Sequence, residues 1–185
     1  MKQLKNYISQ SEKHSSIDEY INEAKSKFTC YMLIGLPGAG KSTWCQTKHP
    51  DLPVVSRDII RSKGEGYEFK EYCLGFTKNV DEKAVLDFRK EQQVTDKEHE
   101  LMKKLAKEKR DFIMDDTNLK TKYRKSSIQF LRTIGAKVVG VYFDTPLETC
   151  IKRREGQIDA ETMKQIASKM NTPEKSEFDD FIKVS

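Results

Sequence analysis

Short apolar runs alternate with stretches of helical periodicity along most of the chain. The runs that predict strands are residues 28–34, 53–56, 112–116 and 137–143, with a last short strand within 178–184. The stretches that predict helices span about residues 41–49, 90–109, 122–134, 146–154 and 159–171. Strands that alternate with helices in this way are typical of an α/β fold, in which helices cover both faces of a parallel sheet of about five strands.

The first 27 residues have a different character. Residues 1–15 are polar, and Ser16-Ile17-Asp18-Glu19 has the form of a capping box, which predicts a short helix to about Lys27. We therefore expect an N-terminal polar segment with a helix over residues 1–27 and a single domain over residues 28–185.

Composition adds little to this picture. The 185 residues include 34 basic and 29 acidic ones, and the net charge of +5 is compatible with a polyanionic partner without requiring one, because the signs are interleaved. The cysteines have no zinc spacing and are typical of small buried hydrophobic residues; they are Cys30, Cys45, Cys73 and Cys150. No apolar run approaches the length of a membrane span, so we expect a cytoplasmic protein without a membrane partner.

A glycine-rich turn joins the first predicted strand to the helix that follows it. Its sequence, G-L-P-G-A-G-K-S, matches G-x-x-x-x-G-K-[ST] at every fixed position. Backbone N–H groups of such a loop turn inward around phosphates, Lys41 reaches the β- and γ-phosphates of ATP, and the Ser42 hydroxyl ligates Mg²⁺. The residues predicted to contact the nucleotide are Gly35, Pro37, Gly38, Ala39, Gly40, Lys41, Ser42 and Thr43.

Two further groups of polar residues follow predicted strands. Asp115 and Asp116 end the strand expected beside the first one, where one of them can hold Mg²⁺ or orient an acceptor group; alternatively one caps a turn with Asn118, an equally good interpretation for Asp115. Asp58 and Arg61 share a face if a helix starts after the second strand. Asp58 could then accept the proton of an attacking hydroxyl and Arg61 could clamp a phosphate, or the two could be a helix cap and a surface charge.

Four motifs together resemble a known family. G-L-P-G-A-G-K-S-T-W at residues 35–44, S-R-D-I-I-R at 56–61, D-T-N-L at 116–119 and F-D-T-P at 143–146 resemble, in order and spacing, the 5′-kinase domain of phage-type polynucleotide kinase. The resemblance runs from about Phe28 to the C-terminus, with a longer segment between Arg61 and Val94. It implies a P-loop kinase fold that transfers the γ-phosphate of ATP to the 5′-hydroxyl of DNA or RNA.

The resemblance also implies roles for individual residues. Lys41 and Ser42 match the phosphate and metal residues, Asp58 the general base, and Arg61 the arginine that binds the acceptor phosphate. Asp116 matches a supporting acid, which we also consider as a metal ligand. Arg153 matches a lid arginine. A second lid arginine of the family is replaced by Gln157, and Arg154 could substitute for it.

Some features depart from the family or allow other interpretations. The D-x-D-x-T motif of the phage phosphatase domain is absent, so we expect no 3′-phosphatase activity. Aromatic residues within 67–76 could stack on bases or could form a small hydrophobic cluster. A basic group after D-T-N-L could follow the phosphates of a strand or form an exposed helix face; it comprises Lys120, Lys122, Arg124 and Lys125. Two alternative functions remain open: a kinase for a small-molecule or tRNA-linked hydroxyl, and an ATP-binding adaptor without catalysis.

Overall fold

The computed structural model describes residues 28–63 and 82–185 of the chain. The helix predicted over residues 16–27, the aromatic stretch 67–76 and Cys73 lie outside these ranges. No helix within the described ranges combines the length and apolar character needed to cross a membrane.

The described residues form a five-stranded sheet in which every pair of neighbouring strands is parallel. The strands are β1 (Phe28–Ile34), β2 (Val54–Val55), β3 (Phe112–Met114), β4 (Ala136–Phe143) and β5 (Asp180–Val184), and their order across the sheet is β2-β3-β1-β4-β5. β1 is therefore central, with β3 and β4 on its two sides. This arrangement confirms the predicted α/β fold and the predicted pairing of β1 with β3.

Helices cover the sheet on both faces. They are α1 (Lys41–Lys48), α2 (Arg57–Lys63), α3 (Glu82–Lys107), α4 (Thr121–Thr133), α5 (Leu147–Arg153) and α6 (Ala160–Ala167), and a 3-10 turn, Lys175–Glu177, precedes β5. Alternate residues of β1 serve the two faces, as a strand with both faces buried requires. Met32 packs in one core cluster with α3 and α4, and Leu33 packs in the other with α1, α5 and α6.

Two helix boundaries differ from the prediction. The backbone of α3 begins at Glu82, about eight residues before the predicted start. The last helix ends at Ala167 rather than near Asn171. Asn171 is used outside the helix, because its N–H donates to the carbonyl of Leu119 and its side-chain oxygen accepts from the N–H of Thr121. Asn171 thus fixes the loop that follows β3 instead of extending the helix.

The cysteines that the structure describes behave as small hydrophobic residues. Cys30, Cys45 and Cys150 are buried and unpaired by disulfides. Burial raises the pKa of the Cys45 thiol to about 11 and also raises that of Cys150, so both stay protonated at neutral pH. The predicted role of these three residues is confirmed.

Candidate active site

The glycine-rich loop connects the buried end of β1 to the first turn of α1. Gly38 and Gly40 have φ values of 80° and 103°, which L side chains rarely adopt. A Cβ atom at Gly38 would also lie 3.0 Å from the carbonyl oxygen of Cys150. The backbone therefore requires glycine at both positions, and it forms the kind of cradle that phosphates occupy.

Lys41 lies against this loop. Its Nζ donates to the carbonyl of Gly35 at 3.0 Å and to that of Leu36 at 2.9 Å. Burial lowers the pKa of the Lys41 ammonium, and the carboxylate of Asp115 acts against that shift. The side chain is thus held among polar acceptors at the mouth of the loop, with a carboxylate close by.

Residues after β4 support the loop from the other side. The Thr145 hydroxyl donates to the carbonyl of Ala39 at 2.9 Å, and Nη1 of Arg153 donates to that of Gly38 at 3.1 Å. A Cβ at Gly38 would lie 3.1 Å from Cγ of Arg154, whose Nη1 donates to Oε1 of Gln157 at 2.7 Å. Both arginines predicted for the lid therefore lie at the glycine-rich loop. Thr145 is a support that the sequence analysis did not single out.

A cleft of about 370 Å³ opens beside the loop. The sequence-predicted residues Ser42, Asp58 and Asp115 all line it; the other lining residues are Cys45, Gln46, Val54, Ser56 and Ile59. Burial raises the pKa of the Asp115 carboxyl, and Lys41 opposes this. A hydroxyl, a carboxylate at the rim and a half-buried carboxylate thus line one space, which is a suitable arrangement for a metal-bound phosphate and a hydroxyl acceptor.

Asp58 and Arg61 do share a face of α2. Nη1 of Arg61 donates to Oδ1 of Asp58 at 2.7 Å. The opposite edge of the guanidinium donates to Glu91 of α3, from Nε to Oε1 and from Nη2 to Oε2, both at 2.9 Å. Glu91 also accepts from Nη2 of Arg57 at 2.8 Å. Glu91 is therefore a central residue of the site that the sequence analysis missed, because in sequence it is one of many charged positions of α3.

Asp116 belongs to a buried group rather than to the wall of the cleft. Its Oδ1 accepts from the backbone N–H of Arg57 at 3.3 Å, while Nη1 of Arg57 donates to Oε2 of Glu98 at 3.0 Å. Oδ2 of Asp116 and Oε1 of Glu98 have no hydrogen-bond partner among the described residues. A proton on the Asp116 carboxyl would let it donate to the neighbouring Glu98 carboxylate. Burial and the neighbouring Glu98 accordingly raise the pKa of Asp116 well above its ordinary value.

One residue of the predicted basic group is not on the surface. The Arg124 side chain is fully buried, with Nε and Nη2 donating to the carboxylate of Glu177 at 2.9 and 2.8 Å. Its Nη1 donates to three backbone carbonyls, those of Asn118, Leu119 and Asn171. The prediction that Arg124 contacts a strand or lies on an exposed face is therefore wrong, because a partner 53 residues away draws it inside. Lys120, Lys122 and Lys125 are exposed.

The donor set fits a magnesium ion held together with phosphates. Within residues 28–63 and 82–185, no three His, Cys, Asp or Glu side chains form a group that could hold a metal by themselves. Mg²⁺ in phosphate-transfer sites is commonly bound through one or two protein ligands and the substrate phosphates, and Ser42 with Asp115 offers that number. A second groove of about 440 Å³, between α4 and the 3-10 turn, is lined by Lys125 of the predicted basic group but by none of the residues predicted to contact the nucleotide or the reacting hydroxyl.

A family model described as an AAA domain matches residues 31–174. No curated protein matches the chain.

Several solved structures share the fold. A suspected kinase from Chloroflexus aurantiacus superimposes with a TM-score of 0.60 at 14% identity, covering 86% of this chain and 85% of that one. A chain of the Pnkp1/Rnl/Hen1 complex gives a TM-score of 0.52 at 20% identity, covering 70% of this chain and 40% of that one. A gluconokinase from Sinorhizobium meliloti gives 0.50 at 11% identity, covering 84% and 81%. At these identities the likeness shows a P-loop kinase fold and leaves the acceptor open.

Proposed function

The chain belongs to the AAA domain family, and from that premise we propose that it is an ATP-dependent kinase that phosphorylates the 5′-hydroxyl of a nucleic acid. The observation that carries the proposal is that Ser42 and Asp58 line one cleft beside the glycine-rich loop, with Arg61 hydrogen-bonded to Asp58. A phosphate-site hydroxyl, a carboxylate base and a cation for an acceptor phosphate are then within one site.

Each residue has a distinct task in this proposal. The loop from Gly35 to Thr43 binds the phosphates of ATP through its backbone N–H groups, and the Lys41 ammonium offsets the charge that develops on them. Asp58 accepts the proton of the attacking hydroxyl. The hydroxyl oxygen forms a bond to the γ-phosphorus, the bond from that phosphorus to the β,γ-bridging oxygen breaks, and ADP leaves. Arg153 or Arg154, which both lie at the loop, stabilises the transferred group.

A bound Mg²⁺ would neutralise charge on the β- and γ-phosphates, with Ser42 and a carboxylate after β3 as its protein ligands. We assign the metal-facing position to Asp115, because Asp115 lines the cleft with Ser42. Asp116, the residue suggested by the sequence motif, is then a supporting acid, since its carboxyl meets Glu98 and the N–H of Arg57. Its support acts through Arg57, which neighbours the base.

A nucleic acid is the favoured acceptor because of the four-motif resemblance and because Arg61 is placed beside the base. An acceptor that already carries a phosphate next to its hydroxyl gives the Arg61 cation a partner. The nucleotide at the 5′ end of DNA or RNA has such a phosphate on its 3′ side. A sugar without phosphate offers Arg61 no anionic partner.

The test is transfer of labelled γ-phosphate from ATP to a short single-stranded oligonucleotide with either a 5′-hydroxyl or a 5′-phosphate. We expect label only on the 5′-hydroxyl strand. Asp58→Ala should lose transfer and still bind ATP. Asp51→Ala is the control and should transfer phosphate as the wild type does, because Asp51 is exposed and does not line the cleft. ATP binding without label on DNA or RNA would contradict the proposal and favour a small-molecule or tRNA-linked hydroxyl, or an adaptor.

A further inference from the structure

Tyr123, in the first turn of α4, is exposed to an unusual degree for an aromatic residue. Its relative exposure is 60%, against 42% for Ile59 and 38% for Ile182, the other large exposed hydrophobic residues that the structure describes. Nζ of Lys120 lies 5.6 Å from the centre of its ring. The first turn of α4 contains no acidic residue, and Lys122 beside Tyr123 is exposed. The start of α4 thus presents an accessible ring with two lysines next to it.

The start of α4 lies at the same edge of the sheet as the glycine-rich loop. The loop between β3 and α4 is fixed there, because the N–H of Gly35 donates to the carbonyl of Thr117 at 3.1 Å. Nδ2 of Asn118 also donates to the carbonyl of Leu33 at 2.8 Å. Tyr123, in the first turn after this loop, therefore lies near the edge at which the candidate active site opens.

The orientation of α4 indicates which side of that edge Tyr123 occupies. Tyr123 and Phe130 are seven residues apart, which is about two turns of a helix, so they share one flank. Phe130 stacks on His99 of α3, with ring centres 3.9 Å apart. The Tyr123 flank thus faces α3, the helix whose Glu91 holds Arg61. The opposite flank, with Lys125 and Arg132, borders the groove next to the 3-10 turn.

We propose that Tyr123 stacks on a base of the acceptor strand beyond its 5′ nucleotide, with Lys120 and Lys122 contacting the neighbouring phosphates. This inference rests on the proposed function and extends it from the reacting end to the body of the strand. Every base has a π-face, so an exposed ring flanked by cations suits a single strand without sequence preference. Lys120 already lies over the ring and can pair with a phosphate while staying beside it.

The inference predicts that Tyr123 matters only when the acceptor is long enough to reach it. The acceptors to compare are a nucleoside 3′-monophosphate, a dinucleotide and a hexanucleotide, each with a free 5′-hydroxyl. For Tyr123→Ala we expect the hexanucleotide KM to rise on the order of tenfold to a hundredfold, the range of one lost base-stacking contact. The monophosphate KM and the kcat on all three should not change.

Two matched variants complete the experiment. Tyr123→Trp keeps a stacking surface and should retain the wild-type KM for the hexanucleotide, while Ile182→Ala removes an exposed hydrophobic residue from β5 and should change nothing. Lys120→Gln should reduce the slope of log KM for the hexanucleotide against log salt concentration by about one. Thermal unfolding of each variant checks that the fold is intact.

The outcomes separate this inference from the proposed function. If the wild type labels no nucleic acid of any length, the proposed function fails. If the wild type labels the hexanucleotide and Tyr123→Ala has the same KM, the proposed function stands and the stacking site is overturned. An equal rise in KM on all three acceptors would also overturn it, because Tyr123 would then act at the reacting nucleotide or on the fold.

Discussion

Glu91 binds Arg61 at two points, with Oε1 2.9 Å from Nε and Oε2 2.9 Å from Nη2. The contact fixes the guanidinium plane and leaves Nη1 to donate to Asp58, which lines the cleft. Burial acts to raise the pKa of Glu91, but its hydrogen bonds to Arg61 and Arg57 lower it overall, so the carboxylate stays ionised at neutral pH. Glu91 thereby positions the arginine that we assign to the acceptor.

Glu91→Gln should weaken acceptor binding without affecting ATP. The amide has one acceptor oxygen where the carboxylate has two, and its NH₂ group would meet a guanidinium N–H, so Arg61 loses its two-point contact. We expect the acceptor KM to rise about tenfold, the equivalent of one charge-assisted hydrogen bond, with the KM for ATP unchanged. Glu100→Gln is the control, because Glu100 is exposed and pairs with Lys97 in the same helix. Equal acceptor KM values for Glu91→Gln and wild type would remove Glu91 from this role.

The two aspartates after β3 should respond differently to metal titration. For Asp115→Asn, we expect the Mg²⁺ concentration that gives half-maximal activity to rise about tenfold or more, because a charged ligand is lost. Asp116→Asn should leave the Mg²⁺ requirement unchanged, since an amide can donate to Oε1 of Glu98 and keep the buried pair satisfied. The reverse pattern would restore Asp116 as the metal ligand.

The two lid arginines, Arg153 and Arg154, should contribute unequally to kcat. Arg153 contacts the loop carbonyl of Gly38, whereas the guanidinium of Arg154 is engaged by Gln157. We therefore expect Arg153→Ala to lower kcat by about a hundredfold or more, as the loss of a transition-state charge contact does. Arg154→Ala should lower it far less. Single-turnover transfer rates distinguish the two, and a larger loss for Arg154→Ala would assign the lid role to that residue.

Arg124 should matter to stability rather than to substrate. Arg124→Met would leave the buried Glu177 carboxylate without its cation, and such a change costs about 3–5 kcal/mol in the free energy of unfolding. The control is Arg132→Met, which breaks the half-exposed pair with Asp179 and should cost about 1 kcal/mol or less. Urea unfolding of both variants gives the comparison. Similar losses of unfolding free energy in the two variants would mean that the buried pair stabilises the fold no more than the half-exposed pair does.

The same pair makes a contribution to stability that depends on pH. Burial opposes the shift, but the hydrogen bonds from Arg124 lower the pKa of Glu177 below its ordinary value in the folded protein. Its contribution is therefore complete above the ordinary glutamate pKa and is lost as the pH falls through the lowered value. We expect the difference in unfolding free energy between wild type and Glu177→Gln to be largest near neutral pH and to shrink on acidification. A difference that grows on acidification would contradict this assignment.

Local sequence predicted the glycine-rich loop and the strands around it. Eight consecutive residues from Gly35 to Ser42 contain everything the loop needs, because its conformation depends on glycines at fixed spacing and on the strand and helix that flank it. The alternation of short apolar runs and helical stretches was sufficient to predict the α/β fold class, since the periodicity that marks each strand or helix lies within its own residues.

Contacts between distant parts of the chain were decided only by the tertiary structure. Glu91 lies 30 residues from Arg61 and belongs to a helix whose charged positions look alike in sequence. Asp115 and Asp116 are adjacent, yet one meets the cleft and the other a buried glutamate, because successive side chains after a strand point to opposite sides. In sequence Arg124 looks like its basic neighbours, but in the folded protein it is buried and hydrogen-bonded to Glu177. The sequence determined which groups the site contains, and long-range packing determined which of them face substrate, because burial and pairing depend on neighbours that local periodicity does not specify.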